Sequence, residues 1–326
     1  MKALVCPRYG GPEVLQLRDV ERPEPAADEV LVRVHAAGLN AADWHIMRAD
    51  PFIVRVGNGL LRPRMRALGA DLAGTVETVG DTVRELRVGD EVFADLSTCG
   101  FGAFAEYVCV PERFLSRKPS TTFFEQAAVM PLSGVTALQA LRDQAAVTAG
   151  ERVLVYGASG GVGTYAVQLA VAMGAEVTAV CSSSKTEQVH ALGAHRVVDY
   201  LMSDVFADGQ SWDVVLGVNG YQPVRRYRDA LRPGGRYLMI GGTGRQMLEG
   251  IALGKALSTR GRSLGPVIAK PDGEKLADLR RYVEAGQVRA LIDRRYPLEE
   301  GAEAMRYLEE GHSHGKIVLS VMEPEH

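Results

Sequence analysis

The fold of this chain is decided by residues 152–163, which read Arg152-Val153-Leu154-Val155-Tyr156-Gly157-Ala158-Ser159-Gly160-Gly161-Val162-Gly163. The first five residues are mostly apolar and β-branched, which is typical of a strand buried on both faces of a parallel sheet. A helix pattern follows the glycines and ends at Gly174, and a second apolar strand runs from Glu176 to Cys181. Strand, glycine turn, helix and strand at this spacing predict one right-handed βαβ unit.

Glycines placed between a buried strand and an amphipathic helix predict a dinucleotide-binding turn. Glycine allows backbone angles that other residues resist, and it lets a pyrophosphate approach the exposed N–H groups of the helix start. A plain tight turn is the alternative, and it does not require the strand and helix that flank the glycines here. The residues predicted to bind the pyrophosphate are Ser159, Gly160, Gly161, Val162 and Gly163.

The end of the second strand indicates which dinucleotide is bound. An NAD site usually carries an acidic residue about 20 residues past the glycines, to accept hydrogen bonds from the ribose hydroxyls. This chain has Ser182, Ser183 and Lys185 there, with no acid before Glu187. Hydroxyls and an ammonium suit a 2′-phosphate, so the sequence predicts NADPH. Ser184 also fits a capping box with Glu187, a structural role that leaves the other three residues available.

Three later strands are expected to bring polar and small residues to the same sheet edge. We predict these strands at Arg196–Asp199, Trp212–Val218 and Arg236–Ile240. Ligands bind at the carboxyl ends of strands in parallel sheets. The residues at these ends that we predict to contact the cofactor are Tyr200, Asn219, Gly241 and Gly242.

Composition excludes several classes of protein. The 326 residues allow two domains, and the net charge of −3 argues against nucleic acid as a partner. The four cysteines show no paired spacing, which argues against a disulfide framework or a cysteine-rich metal site. No run of about 18 apolar residues occurs, and no signal-peptide pattern is found, so we expect a cytosolic protein with no membrane partner.

The chain before about residue 120 is rich in short predicted strands with glycine turns, which favours a barrel or sandwich. One segment, Phe52–Met65, differs because it carries three arginines among apolar residues, and we expect a loop or short helix there. A solvated segment is favoured over an anionic-substrate site. The last strand, Lys316–Val321, is expected to return to the N-terminal part. A strand near Ser263–Ala269 is expected at the edge of the nucleotide sheet, where edge pairing predicts a homodimer.

The whole sequence resembles the medium-chain dehydrogenase/reductase superfamily, in its zinc-independent, quinone oxidoreductase-like branch. The motifs that carry the resemblance are Pro12–Leu15, Val30–Val34, Gly38–Asn40 with Asp43, Gly69–Gly74, Val88–Phe93, Val135–Leu138 and Ser159–Gly163. The resemblance implies an α/β fold, in which a Rossmann NADP-binding domain is joined to a GroES-like β-barrel catalytic domain. It implies residues 123–287 for the first domain and residues 1–122 with 288–326 for the second.

The departures from the zinc-dependent relatives imply that no metal is bound. Where those relatives hold catalytic zinc, this sequence aligns Asn40, Ala70-Asp71 and Leu132. Asn, Ala and Leu do not supply the three protein ligands that catalytic zinc requires. The histidines form no ligand-spaced cluster with cysteine; they include His35, His45, His190, His195, His312 and His314.

A site without a Lewis acid must stabilise developing negative charge by hydrogen bonding. A quinone or an enone gives a delocalised anion that donors alone can stabilise, whereas a simple ketone gives a localised alkoxide. The candidate catalytic donors are the Asn40 amide and the Trp44 indole, although Trp44 also fits the wall of an apolar cleft. By resemblance, Thr136 contacts the cofactor and Lys316 lies close to it.

The sequence leaves two other functions open. One is an NADPH-binding interaction or sensor protein with little catalysis. The other is a stand-alone enoyl-thioester reductase. Both share the predicted NADPH site, so only the response to acceptor substrates separates them from a quinone or enone reductase.

Overall fold

The computed structural model describes residues 1–52, 54–64, 67–207, 209–241, 258, 261–311 and 313–322. The chain divides into two compact units. Unit 1 comprises Met1–Val135, Lys270–Glu284 and Ala290–His326, and unit 2 comprises Thr136–Ala269 and Ala285–Arg289.

Unit 2 is built on a parallel sheet whose described strands are, in chain order, β8 (Arg152–Tyr156), β9 (Glu176–Cys181), β10 (Arg196–Asp199), β11 (Trp212–Gly217), β12 (Leu231–Met239) and β13 (Ser263–Pro266). The strands lie in the order β10-β9-β8-β11-β12-β13, and every adjacent pair is parallel. The order reverses between β8 and β11, which creates the crevice where open sheets of this kind bind ligands. Among the described strands, the predicted edge position of the strand near Ser263 is confirmed.

The helices of unit 2 connect these parallel strands. Those that the structure describes are α5 (Gly161–Ala172), α6 (Thr186–His190) and α7 (Val224–Asp229). The helix that precedes the sheet, α4 (Pro131–Leu138), continues as a π-helical segment, Gln139–Gln144. In α5 the residues from Gly163 to Ala170 are all buried, as expected for a crossover helix packed on a sheet.

Unit 1 contains mainly antiparallel strands: β1 (Lys2–Val5), β2 (Gln16–Asp19), β3 (Glu29–Gly38), β4 (Asp71–Val79), β5 (Glu91–Asp95), β6 (Tyr107–Pro111), β7 (Leu115–Arg117), β14 (Ile292–Pro297) and β15 (Lys316–Ser320). The larger sheet has the order β14-β15-β3-β4-β5-β7, with β6 also paired to β3. Strand β15 pairs antiparallel with the end of β3. The prediction that the last strand returns to the N-terminal part is therefore confirmed.

The helices of unit 1 are α1 (Ala41–Arg48), α2 (Val54–Asn58), α3 (Phe124–Ala128), α8 (Gly273–Glu284) and α9 (Gly301–Glu309). Asp272 precedes α8, and its carboxylate accepts a hydrogen bond from Lys275 N at 2.7 Å, which caps the helix start. Helix α2 lies within Phe52–Met65, so the short helix expected in that segment is present. Ile53 and Met65 lie outside the described residues.

The two units differ from the domain limits implied by the resemblance. Residues 123–135 and 270–284 group with unit 1. Helix α3 packs on β3 and β4, and α8 packs on β7. The close approach of Gly273 to the Leu115 carbonyl, where an added Cβ would lie 2.3 Å from the oxygen, shows how tightly α8 joins unit 1.

Each unit has its own apolar core. In unit 1 the core includes Val32, Leu72, Phe104 and Met305, and in unit 2 Trp212, Tyr227 and Tyr237 lie in one cluster. Within the described part of the chain, every helix falls short of the length and apolar character needed to cross a bilayer.

Candidate active site

The glycine turn of unit 2 has the geometry of a phosphate-binding turn. Gly157 has a φ of +89°, and its N–H donates to the Val180 carbonyl of β9 at 3.1 Å. At Gly163 an added Cβ would lie 2.2 Å from the Gly157 carbonyl oxygen, so no larger residue fits without displacing backbone. The first N–H groups of α5 have no acceptor within the helix and carry its positive dipole end. Together these features suit an anionic group at residues 159–163.

The carboxyl ends of β8, β11 and β12 meet beside this turn. A Cβ added at Gly157 would lie 2.7 Å from Asn219 N, and Gly241 N donates to the Gly217 carbonyl at 3.3 Å. Asn219 is exposed. The structure therefore brings Gly157, Asn219 and Gly241 to one sheet edge, as the sequence predicted. Gly242 lies outside the described residues.

The residues predicted to bind a 2′-phosphate also lie together in unit 2. Ser182, Ser183 and Lys185 follow β9, and Tyr200 follows β10, where Tyr200 N donates to the Cys181 carbonyl at 3.1 Å. Tyr200 is 52% exposed, so its ring is available to a ligand.

The capping role expected of Ser184 is wrong. Helix α6 begins at Thr186, and its N-cap residue is Lys185. Residues Ser183–Lys185 form a 3-10 turn instead, in which Thr186 Oγ1 donates to the Ser183 carbonyl at 3.0 Å. A local pattern of serine and glutamate cannot distinguish this turn from a helix start.

An acid that the local sequence pattern did not indicate also lies in this region. Asp199 ends β10 and is paired in register with Cys181. The Ser183 hydroxyl donates to Asp199 Oδ2. The acid is distant along the chain from the serines, and only the parallel pairing of β9 with β10 brings it to them.

Asn40 lies at the start of α1 in unit 1 and is 4% exposed. Its Nδ2 donates to Asp71 Oδ2 at 2.9 Å and to the Gly38 carbonyl at 3.4 Å. Both amide hydrogens therefore have acceptors inside unit 1. A direct hydrogen bond from Asn40 to a substrate stays a prediction, and the observed contacts fit a residue held rigidly in place.

Lys316 lies in the same cluster and is 4% exposed. Its ammonium donates to the Leu39 carbonyl at 2.9 Å, to Asn40 Oδ1 at 2.5 Å and to the Ser133 hydroxyl at 3.2 Å. An ammonium has three hydrogens, so these bonds account for all of them. The structure thus places Lys316 among side chains of unit 1, and its contact with the cofactor stays a prediction.

Three buried carboxyl groups, Asp71, Asp43 and Asp95, interact electrostatically with the Lys316 ammonium. Asp71 Oδ2 lies 3.8 Å from Nζ, and Asp71 is paired directly opposite Asp95 on the neighbouring strand. Burial raises the pKa of Asp71 and lowers the pKa of Lys316, because both charged forms lose their hydration. Burial also raises the pKa of Asp95. The ammonium offsets the repulsion between carboxylates that would otherwise face each other unscreened.

Asp43, the third of these acids, joins α1 to the loop before β4. Its carboxylate accepts hydrogen bonds from Asn40 N at 2.8 Å and Gly69 N at 3.1 Å. Burial raises the pKa of Asp43 to about 7, although these backbone donors and the charge of Lys316 act in the opposite direction. The role of Asp43 is to fix the position of the loop that carries Asn40.

Two other predicted residues are placed by helices. Trp44 in α1 is partly buried and packs against the apolar core of unit 1. Thr136 in α4 is 8% exposed. The contact of Trp44 with a substrate and that of Thr136 with the cofactor stay predictions.

The cluster around Asn40 does not fit a catalytic zinc ion. Ala70 offers no donor side chain, the Leu132 N–H donates to Asp71 Oδ1 at 2.8 Å, and the Lys316 ammonium points at Asn40 Oδ1. No group of three His, Cys, Asp or Glu side chains within the described ranges is arranged to hold a metal. A cation is already supplied to this cluster by the protein itself.

Two family sequence models match the chain. The model described as "Alcohol dehydrogenase GroES-like domain" matches residues 26–120, and that described as "Zinc-binding dehydrogenase" matches residues 192–319.

Individual relatives match over nearly the whole length. The chain is 32% identical to the chloroplast envelope quinone oxidoreductase homolog of Arabidopsis thaliana, with 98% of each chain covered. It is 33% identical to the chloroplastic NADPH-dependent alkenal/one oxidoreductase of the same plant, covering 98% of this chain and 79% of that relative. The solved structure of the quinone oxidoreductase from Coxiella burnetii is similar with a TM-score of 0.88, 30% identity and 99% of each chain covered.

Proposed function

The chain belongs to the medium-chain dehydrogenase/reductase superfamily, as an oxidoreductase with a nicotinamide cofactor, and on that premise we propose its specific reaction. We propose that it uses NADPH to transfer a hydride to a quinone, or to the activated C=C bond of an enone or alkenal, without zinc. The names of the two Arabidopsis relatives support this substrate class.

The observation that carries the proposal is the glycine turn between β8 and α5. Because Gly163 has no Cβ and Gly157 adopts a positive φ, the start of the helix lies close against the sheet edge. The first backbone N–H groups of the helix have no acceptor within the helix, so they suit a pyrophosphate. The neighbouring ends of β11 and β12 complete a surface for an extended dinucleotide.

The reaction needs few protein groups beyond those that bind and orient. When bound, the nicotinamide supplies the hydride. The α5 start binds pyrophosphate, and Ser182 with Lys185 binds the 2′-phosphate. In this proposal Asn40 is held by Asp71 and Lys316 so that the loop around it presents a rigid, polar wall to the acceptor. Trp44 adds an apolar wall that excludes water.

The zinc-independent part of the proposal follows from the cluster chemistry. Conjugate addition to an enone, or addition to a quinone, spreads the negative charge over several atoms. Such an anion needs hydrogen-bond donors rather than a Lewis acid. The buried Lys316 ammonium and the apolar side chains of Ala70 and Leu132, which cannot ligate a metal, support this chemistry over alcohol oxidation.

The test is acceptor-dependent NADPH oxidation, followed by absorbance, against quinones, enones, alkenals and enoyl thioesters. We expect turnover with quinones or enones, and an enone product that is saturated at the double bond with its carbonyl retained. Zinc content should be well below one per chain, and a chelator should leave the rate unchanged. An allylic alcohol as sole product contradicts conjugate reduction.

The same panel separates the remaining alternatives. Activity confined to carrier-linked enoyl thioesters favours an enoyl-thioester reductase. Tight NADPH binding with no acceptor-dependent oxidation favours a sensor or interaction protein. Elemental analysis tests the metal-free mechanism separately, and stoichiometric zinc that is lost together with activity overturns it.

Three further features belong to the proposal. The protein is a homodimer that pairs through β13, it works in the cytosol, and it has neither nucleic acid nor membrane as a partner. The functional domains keep the limits implied by the resemblance, residues 1–122 with 288–326 for the catalytic domain and residues 123–287 for the nucleotide domain, although residues 123–135 and 270–284 group with unit 1. The edge position of β13 supports the first of these features.

A further inference from the structure

Asp199 lies where the adenosine end of a dinucleotide is expected. It is the last residue of β10, and its register partner is Cys181, the last residue of β9. Ser182 and Ser183 follow Cys181 directly. An acid therefore lies beside the hydroxyls and the lysine that favour a 2′-phosphate.

The carboxylate of Asp199 is held by two hydrogen bonds. Leu201 N donates to Oδ1 at 2.9 Å, which forms a turn after β10, and the Ser183 hydroxyl donates to Oδ2. A serine hydroxyl has one hydrogen to donate. While Ser183 gives that hydrogen to Asp199, it offers only lone pairs to a ligand, and lone pairs repel a phosphate.

The charges of Asp199 and Lys185 have opposite effects on groups near the end of β9. Burial raises the pKa of the Cys181 thiol to about 11, and next in effect Asp199 adds to the rise while Lys185 lowers it. Asp199 is paired with Cys181 across the sheet, and Lys185 ends the 3-10 turn that follows Cys181, so a carboxylate and an ammonium lie in the same region. Lys185 attracts a 2′-phosphate, whereas Asp199 repels it and suits a ribose hydroxyl.

We propose that Asp199 is a specificity-determining residue that weakens the binding of NADPH relative to NADH, so that it limits the preference of the site for NADPH. The proposal rests on the nicotinamide function proposed above. NAD sites usually carry an acid at the end of the strand that corresponds to β9. In this chain the acid is Asp199, at the end of the neighbouring strand β10.

The decisive variant is Asp199→Asn in the full chain. Asparagine keeps an oxygen for Leu201 N and is well suited to such a turn, but it removes the charge and releases the Ser183 hydrogen. Dissociation constants for NADPH and NADH are measured by titration. We expect the NADPH-to-NADH affinity ratio to rise by about tenfold, the change that 1.4 kcal/mol gives.

Two further variants make the result specific. Asp199→Ser, which also retains a turn-forming oxygen without charge, should shift the ratio in the same direction if Asp199→Asn folds poorly. Glu187→Gln is the matched control, since Glu187 is an exposed acid of α6 nearby. Its ratio should change by less than about twofold, as expected for a solvated charge that salt screens.

The outcomes separate this inference from the proposed function. An unchanged ratio in natively folded Asp199→Asn and Asp199→Ser, with tight NADPH binding by the unmodified chain, overturns the role of Asp199 alone. An equal rise in Glu187→Gln also overturns it, because general charge then accounts for the effect. Failure of the unmodified chain to bind either dinucleotide overturns both the inference and the function.

Discussion

At the scale of single residues, the cluster around Lys316 shows how one buried cation organises several acids. Its ammonium bonds to Asn40, Leu39 and Ser133, and it lies 3.8 Å from Asp71 Oδ2. A buried ion pair is weak evidence for net stability, but removal of one partner leaves an uncompensated charge. The coupling between Lys316 and Asp71 is therefore measurable.

Replacing Lys316 with Met should lower the free energy of unfolding by ~3–5 kcal/mol, because Asp71 then remains buried without its cation. The double variant Lys316→Met/Asp71→Asn should lose less than the sum of the two single losses. Urea unfolding measures both. The control is Lys2→Met, whose exposed partner Glu299 lies 3.6 Å away, and which should cost less than about 1 kcal/mol. Additive losses in the double variant would show that the pair is not coupled.

At the scale of elements, the turn between β8 and α5 combines two different uses of glycine. At Gly163 the helix approaches the strand so closely that an added Cβ would lie 2.2 Å from Gly157 O. At Gly160 the nearest atom to an added Cβ is 3.6 Å away, and φ is −78°. Packing therefore requires glycine at 163 but not at 160, and we expect the glycine at 160 to allow the close approach of a ligand.

Replacing Gly163 with Ala should lower stability by ~1–3 kcal/mol through overpacking, and should abolish NADPH binding. Replacing Gly160, the N-cap residue of α5, with Ala should lower stability by no more than about 1 kcal/mol, because the added Cβ has room but alanine is a poorer N-cap than glycine, and it should weaken NADPH binding. Thermal or urea unfolding and a binding titration measure the two effects separately. Equal stability losses in the two variants would contradict the assignment of different roles.

At the scale of the whole molecule, the described part of the parallel sheet ends at β13. This four-residue strand pairs with β12 on one side only, and Pro266 removes one N–H donor from it. Open edges pair with other chains, and a twofold axis would allow the same edge to meet its copy. The proposed homodimer uses this edge.

Sedimentation at micromolar concentration should give twice the 35.2 kDa mass of the chain. Replacing the exposed Ser263 with Lys should shift the mass towards one chain, because two like charges would meet at the axis. The exposed Ser203, replaced with Lys, serves as the control and should leave the dimer intact. A single-chain mass for the unmodified protein would end the proposal of a dimer.

The local sequence pattern was sufficient to predict the first two strands of the parallel sheet in unit 2. The predicted strands Arg152–Tyr156 and Glu176–Cys181 have these bounds in the structure, because buried parallel strands are continuous apolar runs and glycine ends them. By contrast β14, Ile292–Pro297, was not predicted, since Asp293, Arg294 and Arg295 hide its strand pattern. A mostly solvated strand lacks the apolar signal on which sequence prediction depends.

The sequence by itself therefore determined the α/β class, the glycine turn and the residues at the sheet edge. Tertiary structure alone decided which polar groups meet. Asn40, Asp71 and Lys316 come from three distant parts of the chain, and Asp199 reaches Ser183 only through the register of two parallel strands. Periodicity reports how each segment faces its core, whereas pairing between segments is set by packing that no single segment encodes.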